Sequence, residues 1–162
     1  MAKKLKEYYD HEYLKFLSDL FAGKYDDFDK KTFFELTTSI EEFEFNQRQE
    51  LIATALYKSF DLEYEDTVAV FYKILGAELK GNSGAFSEGW WLWPIGKYVE
   101  MYGEEHFQIS IDFSKELTKR FTSEYCMRPL IKKYPEASLK ILSAWSKDSN
   151  ERVRRLQVSA LE

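Results

Sequence analysis

Arg48-Gln49-Glu50-Leu51-Ile52-Ala53-Thr54-Ala55-Leu56-Tyr57-Lys58-Ser59-Phe60 sets Leu51, Ile52, Ala55, Leu56 and Phe60 at three- and four-residue steps. That spacing places all five on one face of an α-helix, and no strand alternation competes with it. The same rhythm returns downstream. Between Asp66 and Leu79 the apolar positions are Val68, Phe71, Tyr72, Leu75 and Leu79, which predicts a second helix, antiparallel to the first across a short connection. Upstream, Leu5, Tyr9, Tyr13, Phe16, Leu17, Leu20 and Phe21 predict one helix over 5–21. Thr32 with Glu35, and Asn46 with Gln49, have the spacing of capping boxes at helix openings.

Lys80 to Gly89, with three glycines and two serines, breaks the pattern and is expected to be an exposed loop over 80–89. Helices resume at about 90–102, 104–120, 122–134, 136–147 and 150–161, divided by Gly103, Phe121–Thr122, Pro135 and Asp148–Asn150. The fold class implied is all-α. Short connections and the absence of a strict period favour an irregular α-solenoid of antiparallel helix pairs, HEAT-like or ARM-like, in a single domain over 1–162.

Apolar residues make up 44% of the 162-residue chain and aromatics 17%, enough to fill one core and too much for disorder. Met1 to Tyr8 lacks the apolar stretch of a signal peptide, and the greasiest run, Trp90 to Ile95, is far shorter than a membrane span. The single cysteine, Cys126, excludes an internal disulfide framework and points to a reducing cytoplasm. Net charge is −5, yet residues 1–114 hold 12 Lys/Arg against 22 Asp/Glu, whereas residues 115–162 hold 11 against 6. The basic end is the part suited to an anionic partner.

Gly89 to Lys97 has the wrong spacing for a phosphate loop, and Tyr98 stands where a hydroxyl residue is required. His11 and His106 are far apart and lack neighbouring ligands, so neither a metal nor a cofactor is expected. Cys126, without a histidine nearby, is expected to be a small buried thiol. Trp90, Trp91 and Trp93, with Tyr98 and Tyr102 one turn apart, form either core or one wall of an aromatic cleft. On the last helix Val153, Leu156 and Ala160 face inward, with Arg152 and Arg155 on an outward stripe and Arg154 beside them. These arginines are either a solvated face or a phosphate clamp. Glu124 and Arg128, four residues apart, are placed to form an ion pair, and Glu124 in a first turn is favoured by the helix dipole. Pro129 is harder to absorb, because in mid-helix it deprives the Tyr125 carbonyl of its donor.

Residues 90–156 resemble the DNA alkylation repair glycosylases with HEAT-like repeats, of the AlkC type and related to the AlkD type. The resemblance is carried by Trp93-Pro94, Tyr98-Val99 and Gly103; by Leu117-Thr118, Phe121-Thr122-Ser123-Glu124-Tyr125, Arg128-Pro129-Leu130 and Tyr134-Pro135; and by Leu142, Trp145, Asp148, Asn150 and Val153-Arg154-Arg155-Leu156. Ile40 to Arg48 resembles the family's Glu-Phe-x-x-Arg region more loosely. Where the family continues past Val153-Arg154-Arg155-Leu156 into further repeats, this sequence has Gln157 to Glu162, so the chain is expected to be the N-terminal half of a longer solenoid.

The resemblance implies a monomer that grips duplex DNA and hydrolyses the N-glycosidic bond of cationic alkylated bases such as 3-methyladenine. In that reading Glu124 is the catalytic carboxylate, and Arg128, Arg152, Arg154 and Arg155 hold DNA phosphates. Trp90, Trp93, Tyr98 and Trp145 lie near the base. The alternative is a HEAT-like module that binds DNA or a protein without chemistry.

Overall fold

A computed structural model describes residues 2–81 and 84–161, and among these there are helices and turns but no strand. The chain divides into two compact units, residues 1–74 and 75–162, where the sequence suggested a single domain. The all-α class is as expected.

In the first unit, a 3-10 turn over Leu5–Tyr8 precedes α1 (His11–Lys24), α2 (Lys30–Leu36), α3 (Phe45–Phe60) and α4 (Tyr64–Ile74). The helix expected over 5–21 is thus broken at Tyr9. Asp10 is the cause, since its carboxylate accepts from the Tyr13 N–H at 3.0 Å and opens a new helix. Caps also replace the boxes expected at Thr32 and Asn46. Asp29 accepts from the backbone of Thr32 at the start of α2, and Glu44 with Gln47 forms the box that opens α3. Asp61 in the left-handed region, φ 49°, ends α3.

Pairing within this unit departs from the sequence expectation. Helix α3 packs chiefly along α2 and α4 along α1, while α3 and α4 meet through Phe60 and Phe71. The reason is the breadth of the α1 face, where Leu14, Leu17 and Phe21 are all fully buried. Phe60 stands edge-on to Phe21 and Phe28, with both centroid separations 5.0 Å, so a knot of rings fills the centre. Helix α4 stops at Ile74 instead of Leu79, and Gly76 at φ 74° turns the chain away.

The second unit contains α5 (Ala85–Gly89), a 3-10 turn over Trp90–Leu92, α6 (Trp93–Tyr102), α7 (Phe107–Thr118), α8 (Glu124–Lys133), α9 (Pro135–Trp145) and α10 (Glu151–Leu161). The loop expected over 80–89 is therefore shorter, because α5 takes its last five residues; Asn82 and Ser83 lie outside the described residues. Helix α8 is the hub and packs against α6, α7, α9 and α10. It runs on through Pro129 to Lys133. Its apolar face, Met127 and Leu130, joins Ile111, Leu142, Trp145, Val153 and Leu156 in one core.

Two glycines permit close approach here. A Cβ on Gly96 would stand 2.0 Å from the Tyr125 hydroxyl, and one on Gly89 would stand 2.3 Å from the Arg120 carbonyl. Proline opens α9 at Pro135, where its missing N–H costs nothing. Asn150 opens α10, its side-chain oxygen accepting from the N–H groups of Arg152 and Val153.

Candidate nucleic-acid interface

The site residues inferred from sequence all fall in the second unit, at three places. At the start of α8, Ser123 is the N-cap position and Glu124 the first helical residue. The Ser123 hydroxyl donates to the Ser114 carbonyl at 2.6 Å, which ties this start to α7. Glu124 is half-buried, and Arg128 one turn later is exposed. The ion pair expected between them does not form among the described residues, so neither side chain is spent on the other. Arg128 instead borders a shallow groove with Lys132 and Lys133, opposite Glu100 and Glu104. Lys133 is engaged there by Glu105.

The second place is α10, where three neighbouring arginines have three different situations. Arg152 is 8% exposed, against the outward position expected for it. Its guanidinium donates to the carbonyls of Thr118 at 2.9 Å, Phe121 at 3.1 Å and Gly81 at 3.3 Å. A buried cation requires such partners, and the end of α7, the segment before α8 and Gly81 ahead of α5 supply them. Arg152 is thus a fold-tying residue and not a freely swinging clamp. Arg154 is exposed and donates to the carbonyls of Asp148 and Ser149 in the turn before its own helix. Arg155 is exposed and leans over a cleft of about 180 Å³ lined by Thr118, Phe121, Thr122, Arg152 and Ser159. Burial, and then the charge of Arg155, hold the Arg152 pKa below its ordinary value, while the Glu151 carboxylate pulls it the other way.

The aromatic wall is largely internal. Trp93 is half-buried and stacks on Tyr125 at 5.8 Å, and the Tyr125 hydroxyl donates to the Trp93 carbonyl at 3.0 Å. Trp90 is half-buried as well. Tyr98, at 1% exposure, packs on Tyr102, and Trp145, at 6%, anchors α9 in the core of the unit. Neither can face a base as expected, because the inward stripes of α6 and α9 claim them. Cys126 is the inert thiol foreseen: its Sγ donates to the Gly96 carbonyl, and burial pushes its pKa well above the usual range.

Thr122 and Ser159 were missed as cleft residues. Hydroxyls next to a helix start and four residues beyond Arg155 are the signal that could have found them.

No family model matches the chain. It is 32% identical, over 155 residues, to the uncharacterized protein YhaZ of Bacillus subtilis (strain 168), covering 94% of this chain and 41% of that protein. In three dimensions it is similar to the Pseudomonas fluorescens alkylpurine DNA glycosylase AlkC, solved bound to DNA containing an abasic site analog. The TM-score is 0.86 and the identity 25%, over 99% of this chain and 43% of that one. The chain therefore spans about two fifths of the length of each of these two proteins. In its helical fold, the chain is the counterpart of an N-terminal part of an AlkC-like DNA glycosylase.

Proposed function

We propose that this chain acts in DNA alkylation repair, holding duplex DNA and serving the hydrolysis of the N-glycosidic bond of cationic alkylated bases. The observation that carries the reading is the likeness, over nearly the whole chain, to an alkylpurine DNA glycosylase bound to DNA. A base alkylated at N3 or N7 is already positive. The C1′–N bond breaks with its electron pair going to the base, which leaves neutral, so little acid is required. Water adds to C1′ and gives up a proton. What remains for the protein is to stabilise the oxocarbenium-like sugar and direct that water, and a carboxylate does both. Glu124 suits the role, since it is half-buried, sits at a helix start and is not neutralised by Arg128. Arg128, Arg154 and Arg155 are the exposed cations for the backbone, with Trp90 and Trp93 as the half-buried aromatics that remain for the base.

Release of methylated base from alkylated duplex DNA tests the reading. The expected result is excision that falls about 100-fold or more in Glu124→Gln. Undiminished excision by that variant would sink the catalytic role of Glu124. A second reading, DNA holding without chemistry, is favoured by the burial of Tyr98 and Trp145, which removes two of four expected base contacts. It predicts salt-sensitive DNA binding with no base release.

A further inference from the structure

We propose that Ser123 and Tyr125 are positioning residues that hold Glu124 from both sides, Ser123 by fixing the start of α8 to α7 and Tyr125 by fixing it to α6. The proposal rests on the role given to Glu124 above and deepens it by naming what sets the place of that carboxylate.

Burial separates the three neighbours first. Ser123 is 0% exposed and Tyr125 8%, whereas Glu124 between them is half-buried. The flanking residues are committed inward, and Glu124 is the one that reaches the surface.

The direction of the Ser123 hydroxyl is the second observation. A serine at an N-cap ordinarily turns its hydroxyl onto the N–H groups of its own helix. Ser123 makes no such cap, and its hydroxyl donates instead to the Ser114 carbonyl of α7 at 2.6 Å. The bond sets where α8 begins and adds nothing to its helicity. On the other side the Tyr125 hydroxyl donates to the Trp93 carbonyl of α6 at 3.0 Å, with its ring stacked on Trp93. A carbonyl oxygen has two lone pairs, so one that belongs to a helix can still accept from a hydroxyl. Gly96 makes room for this contact, because a Cβ there would stand 2.0 Å from the Tyr125 hydroxyl.

Pro129 gives the two ties their purpose. It supplies no N–H to the preceding turn, so the part of α8 that carries Glu124 has one helical bond fewer than an ordinary helix. Side-chain bonds to two other helices replace that internal stiffness. A carboxylate that has to stand against C1′ and a water gains from being fixed, since a misplacement of about 1 Å can cost on the order of 100-fold in rate.

The test is single-turnover release of methylated base from alkylated duplex DNA by the full chain, with duplex affinity followed by fluorescence anisotropy. Tyr125→Phe and Ser123→Ala are each expected to slow release about 10-fold while affinity is kept. Circular dichroism verifies folding, and Tyr125→Phe, which retains the ring, decides alone if Ser123→Ala does not fold. In a Glu124→Gln background neither substitution is expected to slow release further, because the group being positioned is gone. Equal fractional losses with and without Glu124, or a loss of affinity that accounts for the slowing, overturn the proposal, since either marks a general loosening of the unit. Unchanged release in both variants, with Glu124→Gln still slow, overturns it and leaves the role of Glu124 standing. Undiminished release by Glu124→Gln, or no release by the parent chain, overturns that role and its positioning together.

Discussion

Each unit buries one arginine, and the two are used differently. In the first, Arg48 is 4% exposed and donates to the carbonyls of Phe43, Lys6, Tyr9 and Glu41 at 2.8 to 3.2 Å. It gathers the 3-10 turn, the segment before α3 and α3 itself into one knot, and its hydrogen bonds all go to backbone carbonyls. In the second, Arg152 gathers the ends of α7 and the start of α8 in the same manner but also borders a cleft with Arg155. The same physical requirement, that a buried guanidinium have its donors satisfied, therefore produces a closed structural tie in one place and a tie with a charged opening in the other. The difference between the two lies in the void beside the guanidinium, not in its burial.

The largest expected effect separates the two knots. Arg48→Met strips four carbonyls of charged donors and is expected to cost about 3 kcal/mol, with Arg152→Met costing about 2 kcal/mol because it frees fewer. All four tryptophans, Trp90, Trp91, Trp93 and Trp145, lie in the second unit, so tryptophan fluorescence in urea reports that unit while circular dichroism reports both. Arg152→Met is expected to shift both signals. Arg48→Met is expected to shift dichroism first, and coincident shifts in that variant would show that the two units unfold as one.

The next effect concerns close packing. Gly96→Ala brings a methyl group to 2.0 Å from the Tyr125 hydroxyl and 2.5 Å from the ring carbon bearing it, and is expected to cost ~1–3 kcal/mol. Adding Tyr125→Phe is expected to recover part of that loss, and strict additivity in thermal melts would refute the clash.

The smallest effect depends on pH. The Asn150 backbone N–H, with Lys115 nearby, holds the Asp148 carboxyl below its ordinary value. A lowered value in the folded chain means stability that is present above the unfolded value of about 3.9 and lost as pH falls through the folded one. Asp148→Asn is expected to lower stability at pH 7 by under about 1 kcal/mol, and the difference from the parent chain is expected to vanish in acid. A difference that persists at low pH would assign Asp148 a role other than its charge.

Helix existence was legible because apolar periodicity is a local property, and Ile52, Ala55, Leu56 and Phe60 are all buried on the face foreseen for them. Boundaries and partners were not. Asp10 breaks a continuous apolar stripe by a capping bond that periodicity ignores, and α4 prefers the broad face of α1 over its neighbour in sequence. At the candidate site, the basic end of the chain was visible from charge alone. Which of Arg152, Arg154 and Arg155 remains exposed was not, because carbonyls from Gly81 to Phe121, far away in sequence, decide it. The Glu124–Arg128 spacing likewise permits a contact that the groove beside Arg128 does not require.

Cys126 has a practical consequence. The chain has one cysteine, and it lies 1% exposed with its Sγ donating to Gly96 and its thiolate disfavoured by burial. Maleimides and iodoacetamides react with thiolates, so the native chain is silent to them under folding conditions. A cysteine introduced at an exposed helical position such as Lys140 would be the single labelling point, and a dye there could report the approach of DNA without any change to the native thiol.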